Sequence, residues 1–508
     1  MAASHISTRI LNWPAGDRPG QRAYLILGCI LCLGAFLRFY LLGQKSLWTD
    51  ELVTISNAIK IIDLHAFLAH TRDDDLPKLY SLLLKLWMQF GTSDEFLRSL
   101  SVIFGCLSIP VAHATSRLFF DEKTSLAAAL FCAISPFMLL YDREIRVYPL
   151  FTVLSLLSTY FFILSLRENR LPHWILYAVV NGLNVYTHPY AFLTIGVQWL
   201  YVSIRYRTLK PLLKPWLVVN GVIFACWMVR ISAFISDVAY FAPWAIPRER
   251  FPFIFAKEAV EFVYIIFSFS VGQTILPWNP MGVLIFVVVL ACFAAGIKKE
   301  FPFSQDMLYL VLLLFLPVIA GVIIRISLPR YFTFIAPLFF MFLARGLWLL
   351  PKKIMVIGAV IILAGWSYGL ANYYNNKEFH IQANIDPWKD VAGFLKEHVK
   401  DNAEVYCLGL GVVPLRHYYA TSLRGYGGSE LMAELNARQA DTKRFWLLYT
   451  SQDEYESWLR VREMLGERYA VIEVKKWGYD PDADLKQKFF KKSFSTYRVV
   501  AELYEHKD

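Results

Sequence analysis

Two acidic side chains, Asp50 and Glu51, stand side by side in the stretch SLWTDELVTISNA, just after an apolar run that ends at Leu42. Adjacent carboxylates can bind a metal, hold a cation or act as a base, and partial desolvation makes a carboxylate a better proton acceptor near neutral pH. Further along, YDREIRVY (141–148) groups Arg143, Glu144, Arg146 and Tyr148, and RISLPRYF (325–332) adds Arg325 and Arg330. A guanidinium presents a fixed fork of donors suited to phosphate oxygens. RDDDLPKLY (72–80) contributes Asp75, and YTHPY (186–190) contributes His188. Together these groups suit a phosphorylated ligand and an acceptor that must lose a proton. Each has a plainer reading as well: His188 as a hydrogen-bonded histidine at an interface, Arg330 as a cation snorkelling at a helix start.

The elements that position these residues follow from composition. Of 508 residues, 56% are hydrophobic, 16% aromatic and only 18% charged, and the mean hydropathy is +0.42. That is too apolar for an ordinary soluble enzyme and reads as a polytopic membrane protein. The run AYLILGCILCLGAFLRFYLL (23–42) has the length a helix needs to cross the hydrocarbon layer, and it lacks a small-residue cleavage site. The net charge of +10 comes from cations scattered through short connections, which speaks for membrane topology and against a nucleic-acid partner. Six of the seven cysteines lie inside apolar runs, and no metal or disulfide framework follows from their spacing.

Further apolar runs fall near 96–120, 124–141, 145–166, 174–187, 190–206, 216–235, 280–297, 307–324, 331–349 and 354–373, so about eleven spans are expected. Placing the N-terminus in the cytoplasm puts RLFFDEK, RENR, RYRTLKPLLK, KKEF and PKK on the inner side, and an odd number of spans puts the C-terminus outside. The same alternation gathers Asp50, Glu51, Asp75, Glu144, Arg146, His188 and Arg330 at the outer face. Charges at membrane depth are costly and mark sites, although loop ends are polar in any case.

Residues 43–95 form a long outer segment in which LYSLLLKLWMQFG (79–91) suits a helix lying in the interface. A second outer segment, 236–279, fits a lid over a pocket, or alternatively a reentrant or spanning helix around 262–271. The expected organisation is a membrane domain over 1–372 and an extracytoplasmic α/β domain over 373–508. The latter opens with a helix in DPWKDVAGFLKEHV, capped by Asp386, and continues through the strand-like runs EVYCLGL, RFWLLYT, YAVIEVKKW and YRVVAELYEH. Its GLG and GYGG lack nucleotide-loop spacing.

The ordered set SLWTDE, LPKLYSLLLKLW, SPFMLLYDREIRVYPLF, YTHPY, PRYFTFIAPLFFMFLARGL and DPWKDVAGFLKEH resembles bacterial glycosyltransferases of the GT-C fold. It is most similar to the family 39 proteins related to protein O-mannosyltransferases and, more distantly, to the aminoarabinose transferases of lipid A. The resemblance implies a polytopic α-helical GT-C fold with a C-terminal α/β domain in a bacterial plasma membrane. It also implies inverting transfer of a sugar from a polyprenyl phosphate to a lipid, glycan or protein acceptor outside the cytoplasm. By the same resemblance Asp50 is the general base and Glu51 its partner, holding the loop or a cation. Arg146 faces the lipid phosphate, Glu144 orients it or the acceptor, and Tyr148 matches the family motif.

The chain departs from the family pattern where LPKLYS replaces HPPLYY. Asp75 stands one residue before the lost histidine position, or upon it after a register shift, which leaves a divalent metal open as cofactor and none assigned. Asp142 and Arg143 replace smaller polar residues, a difference expected to reflect another sugar or acceptor. Two rival readings are a lipid or sugar transporter, which would carry charges at midplane depth and paired broken helices, and a noncatalytic relative that binds a partner.

Overall fold

A computed structural model describes residues 20–61, 78–228, 254–324, 326–380, 385–399, 404–420, 423–437, 444–450, 455–490 and 496–507. Chain contacts divide it into two compact units. One comprises Met1–Leu42 with Asn57–Lys377, and the other Gly43–Ser56 with Glu378–Asp508.

The first unit is helical. Its elements are α1 (Gln21–Phe39), the end of α2 (Thr49–Lys60), α3 (Lys78–Trp87), α4 (Asp94–Arg117), α5 (Glu122–Ile134), α6 (Pro136–Asp142), α7 (Tyr148–Glu168), α8 (Leu171–Val185), α9 (Ala191–Ile204), α10 (Leu213–Met228), α11 (Ile254–Val271), α12 (Pro280–Lys299), α13 (Gln305–Ile323), a 3₁₀ turn at Pro329–Ile335, α14 (Ala336–Leu349) and α15 (Lys352–Tyr374). Ser93, Asp121, Asn279 and Ser304 start α4, α5, α12 and α13 by accepting a first-turn backbone N–H, as N-cap side chains do.

All eleven apolar runs contain helix. Among the described residues eight helices have the length and hydropathy to cross a membrane, and α5 with α6, bent by 55°, passes the same test as a pair, as a broken span or a re-entrant loop. The protein is a multi-pass membrane protein. α8 and α9 are shorter, with 15 and 14 residues. The stretch 262–271 belongs to α11, whose C-terminal half is buried, including Ile265, Phe269 and Val271.

Two local solutions hold this bundle. At the α5–α6 bend Pro136 has no N–H, so Cys132 O loses the partner it would have in a continuous helix. An unsatisfied carbonyl in hydrocarbon costs several kcal/mol. Arg38 of α1 supplies the donors: Nη2 to Cys132 O at 3.0 Å and Nη1 to Ala133 O at 2.8 Å. Its charge is met by Asp142, with Nε 2.9 Å and Nη2 2.7 Å from Oδ2, and neither side chain is more than 2% exposed. Asp142 fits because residue 105 is glycine; a Cβ there would lie 2.5 Å from Asp142 Cγ. Elsewhere α12 and α14 cross at Gly296 and Gly346, where a Cβ on Gly346 would fall 1.7 Å from Cys292 O. Small residues at such crossings let helix backbones touch.

The second unit is α/β. Its sheet has the order β2-β1-β3-β5-β4, built from β1 (Glu404–Leu408), β2 (Gly425–Tyr426), β3 (Arg444–Thr450), β4 (Tyr469–Tyr479) and β5 (Tyr497–His506). β2, β1 and β3 run parallel, while β5 is antiparallel to β3 and β4. Alternate residues of β3 enter opposite cores, Phe445 and Leu447 on one face, Trp446 and Leu448 on the other, the period-two consequence of the pleat. The second face is covered by Trp388, Val391 and Leu395 of α16 (Trp388–His398) and by Val412 and Leu415 of α17 (Val412–Tyr418). Contrary to the sequence expectation, Asp386 does not cap α16: the N-cap is Pro387, which offers no side-chain acceptor. The four expected strands are present; two-residue β2 is additional and too short to leave a hydrophobic pattern.

Candidate functional site

In the first unit four of the polar segments meet at one end of the bundle. Loop 143–147 joins α6 to α7, and its Arg146 N–H donates to Glu144 O at 2.7 Å, with Glu144 buried. Ser101 of α4 donates to Arg146 O at 3.1 Å and sits 2.6 Å from the Tyr80 hydroxyl of α3, so the LPKLYS motif fixes the arginine's backbone through a serine. Leu79 N–H donates to Tyr186 O at 3.1 Å, which ties α3 to the YTHPY turn. The Tyr190 hydroxyl of that turn donates to Ile326 O, just before the Pro329–Ile335 turn that carries Arg330.

The side chains then face one another. The Arg146 guanidinium carbon lies 5.8 Å from the Tyr148 ring centre, and that of Arg330 lies 5.6 Å from Tyr331. The Tyr148 and Tyr331 rings are 6.4 Å apart, with His188 at 6.3 Å from the first and 5.5 Å from the second. His188 stacks on Phe151 at 4.8 Å. Its Nδ1 accepts the Tyr190 N–H at 3.1 Å, which leaves the proton of a neutral ring on Nε2. Burial, reinforced by the positive charges of Arg146 and Arg330, lowers the imidazole to about 3. His188 is therefore neutral at physiological pH. It offers one N–H, and the two half-buried arginines supply the positive charge.

Asp50 and Glu51 belong to the second unit, in the first turn of α2. Glu51 is fully buried, and its Oε2 accepts the Trp48 N–H at 3.2 Å, so it reaches back to the residue ahead of the helix. This is the reciprocal half of a capping box. Asp50 is half-exposed, and its carbonyl accepts from Thr54 Oγ1 at 2.8 Å. The two carboxylates thus differ: Glu51 shapes the turn, and Asp50 is the one open to solvent.

Asp75 and Arg325 lie outside the described residues. Asp142 and Arg143 prove to be framework. Asp142 neutralises Arg38; Arg143 Nη2 donates to Tyr40 O at 2.7 Å, and its guanidinium sits 5.0 Å from the rings of Tyr373 and Tyr374. Among the described residues no group of three His, Cys, Asp or Glu side chains could hold a metal ion, so no ligand set is assigned. Sequence reasoning missed Ser101, whose role depends on its neighbours, and Arg38, which a lone cation inside an apolar run could have signalled.

Residues 75–235 match the family model described as dolichyl-phosphate-mannose-protein mannosyltransferase. No curated protein matches. Among solved structures the chain is similar to ArnT from Cupriavidus metallidurans in the apo state, with a TM-score of 0.59 and 11% identity over 95% of this chain and 98% of that one. The same protein bound to undecaprenyl phosphate gives 0.55, with the same identity and coverage. The apo oligosaccharyltransferase of Archaeoglobus fulgidus gives 0.55 at 14% identity, over 94% of this chain and 74% of that one. The chain has the GT-C glycosyltransferase fold.

Proposed function

We propose that the protein transfers a sugar from a polyprenyl phosphate to an acceptor at the outer face of a bacterial plasma membrane, inverting the anomeric carbon. The carrying observation is the pair Arg146 and Arg330 arranged around neutral His188 and the rings of Tyr148 and Tyr331. Two guanidiniums in a half-buried, aromatic setting suit a lipid phosphate whose sugar packs on ring faces. Undecaprenyl phosphate is the ligand bound in one of the similar structures.

In the proposed step an acceptor oxygen or nitrogen attacks the anomeric carbon as its proton passes to the Asp50 carboxylate. The bond from that carbon to the phosphate oxygen breaks on the opposite face. Arg146 and Arg330 stabilise the departing phosphate, and His188 Nε2–H and Tyr148 help fix it. Glu144 supports the arginine loop, Glu51 holds the turn that presents Asp50, and Asp75 belongs with the donor-phosphate and substrate-binding residues. The energy comes from the donor's phosphate ester, so no nucleotide is needed. The N-terminus lies in the cytoplasm and the C-terminal domain outside.

The test is transfer from a panel of radiolabelled undecaprenyl-phosphate hexoses and pentoses into cell-envelope extract by purified protein. Asp50→Asn should lower kcat by about 10²–10⁴-fold, the usual contribution of a general base. Equal activity would remove Asp50 from the mechanism.

A further inference from the structure

α16 starts badly. Its N-cap is Pro387, with no side-chain acceptor, so a first-turn N–H needs a partner from elsewhere. The Lys389 N–H finds it in Ser46 Oγ at 3.0 Å, from a residue 343 positions earlier. The Lys389 side chain returns the contact, its Nζ donating to Gly43 O at 2.7 Å. One residue on, Leu47 N–H donates to the Tyr418 hydroxyl of α17 at 2.8 Å. Lys389 Nζ lies 5.7 Å from the Tyr418 ring centre, and Lys45 Nζ lies 4.2 Å from that of Phe379. Ser46, Leu47 and Trp48 are all buried.

These contacts converge on the few residues that precede α2, and the Glu51 carboxylate closes the last turn before Asp50. A short backbone segment held at Gly43, Ser46 and Leu47, then at Trp48, has little freedom left. The direction in which α2 sets out, and with it the side chain of Asp50, is fixed by α16 and α17.

We propose that Lys389 and Tyr418 are positioning residues for Asp50, which makes the C-terminal α/β unit a working part of the transferase. The inference rests on the proposed role of Asp50 as base. A misplacement of about 1 Å at a reacting group can cost on the order of 10²-fold in rate while leaving donor affinity intact.

The experiment uses full-length protein in detergent and four variants: Lys389→Met, Lys389→Arg, Tyr418→Phe and Asp50→Asn. Two readouts are taken, hydrogen exchange of the peptide spanning 43–52 and steady-state transfer from a radiolabelled undecaprenyl-phosphate hexose into cell-envelope extract. Lys389→Met and Tyr418→Phe should speed exchange in that peptide and lower kcat about tenfold or more, with the donor KM unchanged within about twofold. Lys389→Arg, which keeps a donor to Gly43 O, should recover most of the rate. Tyr418→Phe removes a single hydroxyl and guards against misfolding. Unchanged exchange in both variants, unchanged kcat despite faster exchange, or a loss carried equally by donor KM would each overturn the proposal. Should Asp50→Asn retain full transfer, the base assignment fails, and the exchange data alone then report whether the clamp exists.

Discussion

The Arg38–Asp142 pair allows a test whose outcome separates two jobs of one arginine. Asp142→Ala leaves the guanidinium charge buried at 0% exposure, and removing one partner of a buried pair costs about 3–5 kcal/mol. Arg38→Met removes the charge but orphans Cys132 O and Ala133 O at the α5–α6 bend, each worth about 1–3 kcal/mol, and leaves Asp142 without its guanidinium. A simple ion pair would let the double variant return close to wild-type stability. Here the double variant retains the carbonyl penalty, about 2–6 kcal/mol, so it stays well below wild type. Thermal unfolding of the four proteins in one detergent measures the cycle, and the Asp142→Ala midpoint should fall by on the order of 5 °C. A double variant within about 0.5 kcal/mol of wild type would refute the capping role. An Asp142→Ala protein as stable as wild type would refute the pairing argument altogether.

Other outcomes follow from single features. Asp386 is pushed up to about 7 by burial, against the pull of Arg498. Its folded state binds the proton more tightly than the unfolded chain, so stability is fullest below about pH 4 and declines as pH rises toward 7, by about 4 kcal/mol at most. Asp386→Asn should remove that slope from melting curves recorded between pH 4 and 8, and an unchanged slope would contradict it. Gly346→Val places a side chain against Cys292 O and should lower the melting midpoint by the equivalent of about 3 kcal/mol or more, with Gly346→Ala intermediate. Tyr80→Phe deletes the contact to Ser101; about 1 kcal/mol of stability should go, and donor KM should rise as Arg146 loosens. His188, neutral throughout the physiological range, should contribute no limb to the pH–rate profile between 5 and 8, so His188→Asn should change the profile's height and leave its shape.

Much of the fold was legible in the sequence because its signals are local. Apolar runs of spanning length announce helices whatever surrounds them, and the strands of the C-terminal domain show in β-branched and aromatic runs such as RFWLLYT. The bend at Pro136 was hidden inside the run 124–141, since proline in an apolar stretch does not say whether a helix continues. α11 was ambiguous because Lys257, Glu258 and Glu261 open it while its second half is apolar. Of the site, Glu144, Arg146, His188 and Arg330 were nameable from residue type, and their spatial grouping is evident only in the structure. The contacts of Asp142 with buried Arg38 and of Arg143 with Tyr40 O were not legible, because a charge at a loop end looks the same whether it faces a ligand or the framework. The role of Lys389 depends on Ser46, and no local pattern links positions so far apart.

That separation has a consequence for biosynthesis. The segment carrying Asp50 leaves the ribosome with its eventual neighbours Lys389 and Tyr418 still untranslated. With Lys389 343 positions after Ser46, the wait lasts roughly 20–70 s at ordinary elongation speeds of about 5–20 residues per second. Throughout that interval the turn at Asp50 has its local Glu51–Trp48 contact and lacks the two supplied by Lys389 and Tyr418. A chain that ends before Lys389 therefore lacks the partners of both Ser46 and Leu47, and should show faster hydrogen exchange over 43–52 than the full-length protein.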